Sequence, residues 1–373
     1  MEGPICRYAD TAEQLWEAPK IRYRNLTFGL QRILFGLMKK IVIADRLNLL
    51  IKNVFSDHEA YDGFIIAVAV VCYTIQLYMD FSGTMDLVIG SGQIFGMKLP
   101  ENFQRPFFSK TISEFWQRWH ITLGAWFKDY IFYPLSMCGQ LKKLTTHARK
   151  RLGNYYGPLL SGAVALFCVW LGNGLWHGAG WHYIFFGMYH FALILCGKIL
   201  EPSAIFLTEK LHIRRDCLPY RCMQIGRTAV LVCIGELFFR AHGLRAGFSM
   251  VQKIVTDFSL TSFHNRSLFT LGADKYDFLI VCLALVVVFI VGILQEQENR
   301  GQPLTMGQIT QAVEDLYGGW EKLPQGSQAL LEQILEDSKT GELYQVYREQ
   351  ERLAKESLLE FEQRYPGATK EEN

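Results

Sequence analysis

Acidic and basic residues are absent from Leu152 to Gly197, a run of 46 residues. One helical crossing of a bilayer needs about 20 apolar residues. The run therefore predicts two crossings, with a break among Gly172, Asn173, Gly174, Gly178 and Gly180. A soluble core rarely uses so long an uncharged stretch. Also missing are a GxSxG elbow, a GxxxxGKS/T loop and an HExxH pair. Their absence removes the sequence signatures of serine hydrolases, P-loop nucleotide binders and zinc proteases. The nine cysteines include no CxxC pair. Several sit in apolar runs, where a free thiol behaves as a small hydrophobe, so no disulfide framework and no metal site are expected. Internal repeats and low-complexity tracts are lacking. The start, MEGPICRYADTAEQL, has neither a basic n-region nor an apolar h-region, so insertion is expected to rest on internal spans.

What is present is unevenly spread. Half of the 373 residues are hydrophobic, 14% are aromatic and 20% are charged, against roughly 25% charged in an average soluble domain. Residues 296–373 hold 16 Asp+Glu against 8 Lys+Arg, and the rest of the chain holds 20 against 30. This divides the chain into a basic, aromatic membrane domain, 1–295, and an acidic, soluble helical extension, 296–373. In the extension, Ser327–Asp337 and Tyr344–Phe361 read as amphipathic helices.

Gly63–Met79 and Phe278–Leu294 are two further uncharged spans of 17 residues each. Thr228–Phe239 is a weaker one, because Glu236 interrupts it, and an acid at membrane depth should face protein or water rather than lipid. Leu26–Phe55, with Arg32, Lys39, Lys40 and Arg46, reads as a half-buried or broken helix. Residues 107–135 combine Trp116, Trp119 and Trp126 with Glu114, Arg118, Lys128 and Asp129. That mixture suits an interfacial or re-entrant helix, with Ser113 as its N-cap. Basic clusters at 142–151 and 210–227 read as cytoplasmic loops by the positive-inside rule, which sends the tail to the cytoplasm as well. They flank apolar spans instead of lining a polar face, so no nucleic-acid partner is expected. The fold class expected is all-α and polytopic.

Of nine histidines, His177 stands out. It lies in the uncharged hairpin, between Trp176 and Trp181 and among glycines that let a ligand approach backbone. An imidazole there needs partners or a task. Catalysis and helix packing are both open to it on composition. His182 and His190 fit packing better. His120 follows Trp116 by four residues, on one helical face, and reads as a passenger in an aromatic belt. Asp80 ends an apolar span, where it can cap a turn or line a cavity. Pro100–Pro106 is a turn-rich loop without chemistry of its own by composition.

Six stretches together resemble the membrane-bound O-acyltransferase (MBOAT) family. They are Gly3–Arg7 (GPICR), Tyr78–Gly83 (YMDFSG), Glu101–Pro106 (ENFQRP), Glu114–Thr122 (EFWQRWHIT), Gly174–Ala179 (GLWHGA) and Leu237–Ala241 (LFFRA). They are most similar to its alginate O-acetylation branch, with the branch that exports D-alanine to teichoic acids as near neighbour. The resemblance covers roughly residues 1–295. It implies tilted helices around a funnel, with His177 as catalytic base and His120 as second site histidine. Trp116, Arg118, Asn173, Trp176 and Asp80 become candidates for the substrate tunnel.

The implied chemistry is transfer of a short acyl group, acetyl first, from a thioester co-substrate to a hydroxyl of an extracellular polysaccharide. Acetyl-CoA or an acyl-carrier protein would supply the donor, and no bound cofactor or metal is required. The implied setting is the cell membrane. The lipid bilayer and a second extracytoplasmic acyltransferase or polysaccharide-export component would be its partners. Family members carry several more helices before the Gly-Pro-Ile segment, so the chain is expected to be N-terminally incomplete. D-alanyl transfer, a non-catalytic scaffold that keeps the motifs, and a transporter are the competing expectations; only the broken hairpin suggests the last.

Overall fold

The computed structural model describes residues 3–17, 21–215 and 217–301. The chain forms two compact units, Met1–Gly292 and Ile293–Asn373. The amphipathic helices expected in the extension lie outside the described residues.

The first unit is helical, and among the described residues the only β pairing is an isolated bridge between Phe103 and Trp119. Helix α1 (Tyr8–Glu17) precedes α2 (Tyr23–Leu37), which passes through a π-helical stretch, Met38–Ala44, into α3 (Asp45–Ser56). The segment expected to be half-buried or broken is thus one helical path with a widened turn. Extra residues in a turn rotate the side chains that follow. Here the consecutive residues Lys39 and Lys40 both reach α4 (Gly63–Ile94), Lys39 at Asp86 and Lys40 at Asp80.

Helix α4 is 32 residues long, and Asp62 caps it by accepting from the Ile65 N–H at 2.9 Å. It outruns the span expected over Gly63–Met79. Asp80 does not end it, because the ion pairs neutralise its acids: Lys39 Nζ lies 2.7 Å and Arg32 Nε 3.1 Å from Asp86. Helix α2 packs against α4 through facing glycines. A Cβ on Gly29 would meet the Gly90 carbonyl at 2.7 Å, and one on Gly36 the Gly83 carbonyl at 2.6 Å. Such small-residue contacts let membrane helices approach closely.

The aromatic segment breaks into α5 (Ile112–Arg118) and α6 (Ile121–Phe127), then passes through a π stretch to α7 (Tyr133–Met137). Ser113 is not its N-cap. Thr111 is, accepting from the Glu114 N–H at 3.1 Å, because the helix begins two residues earlier than expected. The uncharged hairpin is α8 (Gly139–His177), kinked at Gly153, and α9 (Trp181–Lys210). Its break is confined to residues 178–180. Gly172–Gly174 stay helical because α9 crosses them closely: a Cβ on Gly174 would lie 2.7 Å from the Tyr183 carbonyl. Then come α10 (Leu218–Arg240), α11 (Leu244–Thr256), α12 (Thr261–His264) and α13 (Lys275–Gly301).

Among the described residues five helices, α4, α8, α9, α10 and α13, are long and apolar enough to cross a membrane. Along α13, Leu279, Leu283, Val286, Val287 and Ile290 are exposed, as lipid-facing residues would be. The protein is an all-α, polytopic membrane protein. Its main apolar core gathers Leu50, Ile51, Ile66, Leu237 and Met250 from α3, α4, α10 and α11.

Candidate active site

An apolar cavity of about 530 Å3 opens between α4, α5, α6, α8, α9 and α10. His120 and His177 both line it, with Trp116, Asn173, Glu236 and Phe239. The two imidazoles stand 57 positions apart in sequence and come to one cavity only through the fold.

His177 is the last residue of α8, where Gly178 ends the helix at a φ of 154° that favours glycine. Its ring is 4.9 Å from Phe239 and perpendicular to it, 4.7 Å from Trp176 and 6.1 Å from Phe186. Asn173, one turn earlier on α8, is 9% exposed, and its Oδ1 has no hydrogen-bond partner. Glu236, on α10, is 2% exposed, and its Oε2 is likewise without a partner. The expectation that this acid faces protein rather than lipid agrees with its position in the cavity wall.

His120 occupies the corner between α5 and α6, with φ 49° and ψ 50°. A left-handed backbone is uncommon for any residue but glycine, though histidine tolerates it better than most. The corner is tied to the preceding loop by backbone bonds, Gln104 N–H to the Arg118 carbonyl at 2.9 Å and Ile121 N–H to the Asn102 carbonyl at 3.0 Å. Asn102 is fully buried. Its Oδ1 accepts from the Thr122 N–H at 3.1 Å and the Thr122 hydroxyl at 2.9 Å, and it lies 3.2 Å from His120 Nδ1. A backbone N–H can only donate, so the atom it meets is the oxygen, and His120 Nδ1 carries the proton. Nε2 then keeps its lone pair, and it is buried without a partner. Burial, with nearby His177 adding to it, pushes His120 down to about 4.

The loop bearing Asn102 is itself anchored. Arg32 reaches both oxygens of Glu101, at 2.7 and 2.6 Å, and also holds Asp86. The amino terminus joins the same corner: the Ile5 N–H donates to the Thr122 hydroxyl at 3.0 Å, and Arg7 pairs with Asp129.

The other sequence candidates separate. Trp116 and Asn173 line the cavity. Trp116 also donates Nε1–H to His190 Nδ1 at 3.1 Å, so His190, fully buried, serves packing. Trp176 lies beside both histidines, its ring 6.0 Å from His120, but it is 44% exposed and outside the cavity lining. Arg118 pairs with Glu114 at 2.8 Å, away from the cavity. Asp80 pairs with Lys40 and neither caps a turn nor lines the cavity. Asn102 was not among the candidates, although it lies in the ENFQRP stretch, and an amide there gave no signal by composition. Among the described residues no three His, Cys, Asp or Glu side chains gather as a metal site requires.

A family model described as MBOAT, membrane-bound O-acyltransferase family, matches residues 2–149, a range that includes His120 and ends before His177. Probable alginate O-acetylase AlgI of Azotobacter vinelandii is 31% identical over 314 residues, 81% of this chain and 54% of that protein. Peptidoglycan O-acetyltransferase of Helicobacter pylori is 34% identical over 264 residues, 68% of this chain and 44% of that protein. Teichoic acid D-alanyltransferase of Bacillus subtilis is 32% identical over 203 residues, 53% of this chain and 48% of that protein. The chain spans about half the length of the curated relatives it matches.

Proposed function

Residues 2–149 of the chain are a domain of the membrane-bound O-acyltransferase family, and from that premise we propose that the protein moves an acetyl group from a thioester to a hydroxyl of an extracellular polysaccharide, with His177 as general base. One observation carries this reading: two imidazoles, from His120 and His177, line a single apolar cavity of about 530 Å3.

A sugar hydroxyl is a weak nucleophile near neutral pH. A neutral imidazole within hydrogen-bond reach takes its proton as the oxygen attacks the acyl carbonyl. The new C–O bond forms, the C–S bond breaks, and the proton passes from the imidazolium to the departing thiolate. His120 acts beside His177 as a hydrogen-bond acceptor. Its Nδ1–H is engaged by Asn102, so its Nε2 has no proton with which to polarise the carbonyl. It orients the acceptor hydroxyl or the attacking geometry instead. The apolar walls exclude water, which would otherwise hydrolyse the thioester.

The donor, acetyl-CoA or a carrier-bound acyl group, arrives from the cytoplasm. The acceptor side holds a second extracytoplasmic acyltransferase or polysaccharide-export partner. The setting is the cell membrane, with the acidic tail in the cytoplasm. The likeness to a teichoic acid D-alanyltransferase favours a second reading, D-alanyl transfer from an acyl-carrier protein.

The test is thioester consumption by the full chain reconstituted in lipid, with acetyl-CoA and a carrier-bound aminoacyl donor offered in parallel. Turnover that disappears in His177→Ala supports acyl transfer, and the donor consumed separates the two branches. A folded protein that consumes neither donor refutes the reading.

A further inference from the structure

A second cavity adjoins the first. It is lined by Tyr73, His182, Tyr183, Arg240, His242 and Phe239, and of these Phe239 alone also lines the catalytic cavity. Phe239 is therefore shared by the two cavities. Its ring lies 4.9 Å from His177 and 5.1 Å from Tyr183, and the His177 and Tyr183 rings are themselves 6.4 Å apart. The two neighbouring ionisable groups on α10 are shared out in the same way: Glu236 lines the catalytic cavity, and Arg240, one turn on, lines the second.

The chemistry of the second cavity is one-sided. It brings together a guanidinium, two imidazoles and two tyrosines, and among the described residues no carboxylate lines it. The Arg240 guanidinium sits 5.8 Å above the Phe55 ring, which holds it in position without neutralising its charge. A planar guanidinium fork flanked by hydroxyls and imidazoles matches a carboxylate or a phosphate.

Its place along the helices is equally specific. Helix α8 ends at His177, α9 begins at Trp181 and α10 ends at Arg240. The basic residues Lys142, Lys143, Arg149, Lys150 and Arg151 lie near the start of α8, Lys210 ends α9, and Arg221 and Arg227 lie in the first half of α10. The cavity thus opens at the end of the hairpin opposite the basic clusters, which the positive-inside rule puts in the cytoplasm.

We propose that this cavity is the acceptor's entrance and that Arg240, with His182 and His242, binds an anionic group of the acceptor, a carboxylate or a phosphate. The neighbouring hydroxyl then reaches past Phe239 to His177. The inference rests on the acyltransferase reading for the word acceptor, but the anion site is measurable without turnover.

The experiment measures binding to the full chain in discs of zwitterionic lipid by isothermal titration. The probes are an oligouronate, a polyglycerol phosphate and neutral cellotetraose, with wild type, Arg240→Gln and Arg240→Lys. One of the two anionic oligomers is expected to bind, and which one names the group. Arg240→Gln should weaken it at least tenfold, with Arg240→Lys between the two and cellotetraose not binding. The result would be overturned by equal affinity for the neutral oligomer, by no anionic binding, or by an unchanged affinity in Arg240→Gln. It would also fall if anionic lipid added to the discs abolished oligomer binding, since a lipid phosphate would then be the occupant. Should Arg240→Gln fail to fold, His242→Gln at its exposed position carries the same test with a smaller loss. Failure of the acyltransferase reading is seen separately, in thioester consumption.

Discussion

Asn102 and His120 are joined side chain to side chain in the buried corner of the site, Oδ1 to Nδ1 at 3.2 Å. Because the same oxygen takes the Thr122 N–H at 3.1 Å, the direction of the pair is set. His120 donates to Asn102 and keeps an unprotonated, unpartnered Nε2. Replacing Asn102 by Leu should therefore lower thioester turnover roughly 10- to 100-fold, by analogy with the range for partners that orient metal-bound imidazoles. Asn102→Asp, which keeps the acceptor and adds charge, should retain most activity and raise the acid limb of the pH profile. Nitrogen-15 shifts of His120 report the tautomer directly, and an unaltered signal in Asn102→Leu would refute the assignment.

The His120 imidazole is pushed down to about 4, chiefly by burial, against about 6.5 in an unfolded chain. Above pH 6.5 both states are neutral there and no penalty arises. As pH falls from 6.5 towards 4, the unfolded chain takes up a proton that the folded one refuses, so stability declines in that window. The loss is on the order of a few kcal/mol, from the difference between the two values. Thermal unfolding of His120→Gln from pH 7 to 4.5 should decline less steeply than that of wild type.

Gly187 lets α9 approach α8 so closely that a Cβ would lie 2.4 Å from the Trp170 carbonyl. The obstacle is backbone, so it cannot swing aside as a side chain would. Gly187→Ala should cost about 1–3 kcal/mol, the usual cost of overpacking. It should also separate the helices that carry His177 and Phe186. A melting temperature equal to wild type would contradict the packing described.

Arg32 holds Glu101 through two hydrogen bonds of 2.7 and 2.6 Å, immediately before Asn102. Arg32→Met should destabilise the fold by about 1–2 kcal/mol, as loss of charge-assisted hydrogen bonds does. It should also lower turnover by loosening the Asn102 corner. Because Arg32 also pairs with Asp86, a cation is needed at this position, and Arg32→Lys should recover part of both losses. Recovery absent from Arg32→Lys would count against this anchoring role.

Glu236 is 2% exposed, with Oε2 unpartnered, in a wall of the cavity that holds His120 and His177. A buried polar atom without a hydrogen bond costs about 1–3 kcal/mol. Glu236→Leu should therefore raise the melting temperature, while its effect on turnover shows whether the cavity uses the carboxyl. Lower thermal stability in Glu236→Leu would mean that the carboxyl has a partner after all.

Much of this molecule is legible along the chain, because a bilayer imposes a length and an apolar content that any sequence must display locally. The uncharged run from Leu152 to Gly197 declares its hairpin, and Phe278–Leu294 its helix. Other features depend on partners far away in sequence. Asp80 looks like the end of a span until Lys40, forty positions earlier, neutralises it and lets α4 continue. Asn102 looks like a loop residue until the backbone of residues 118–121 pairs beside it. By itself the sequence determined the helical membrane class of the protein and singled out two histidines as candidates. The tertiary structure decided which nitrogen of His120 is free, which acid faces the cavity and which candidates stand outside it, because hydrogen-bond direction and burial are properties of the surroundings and no single residue carries them.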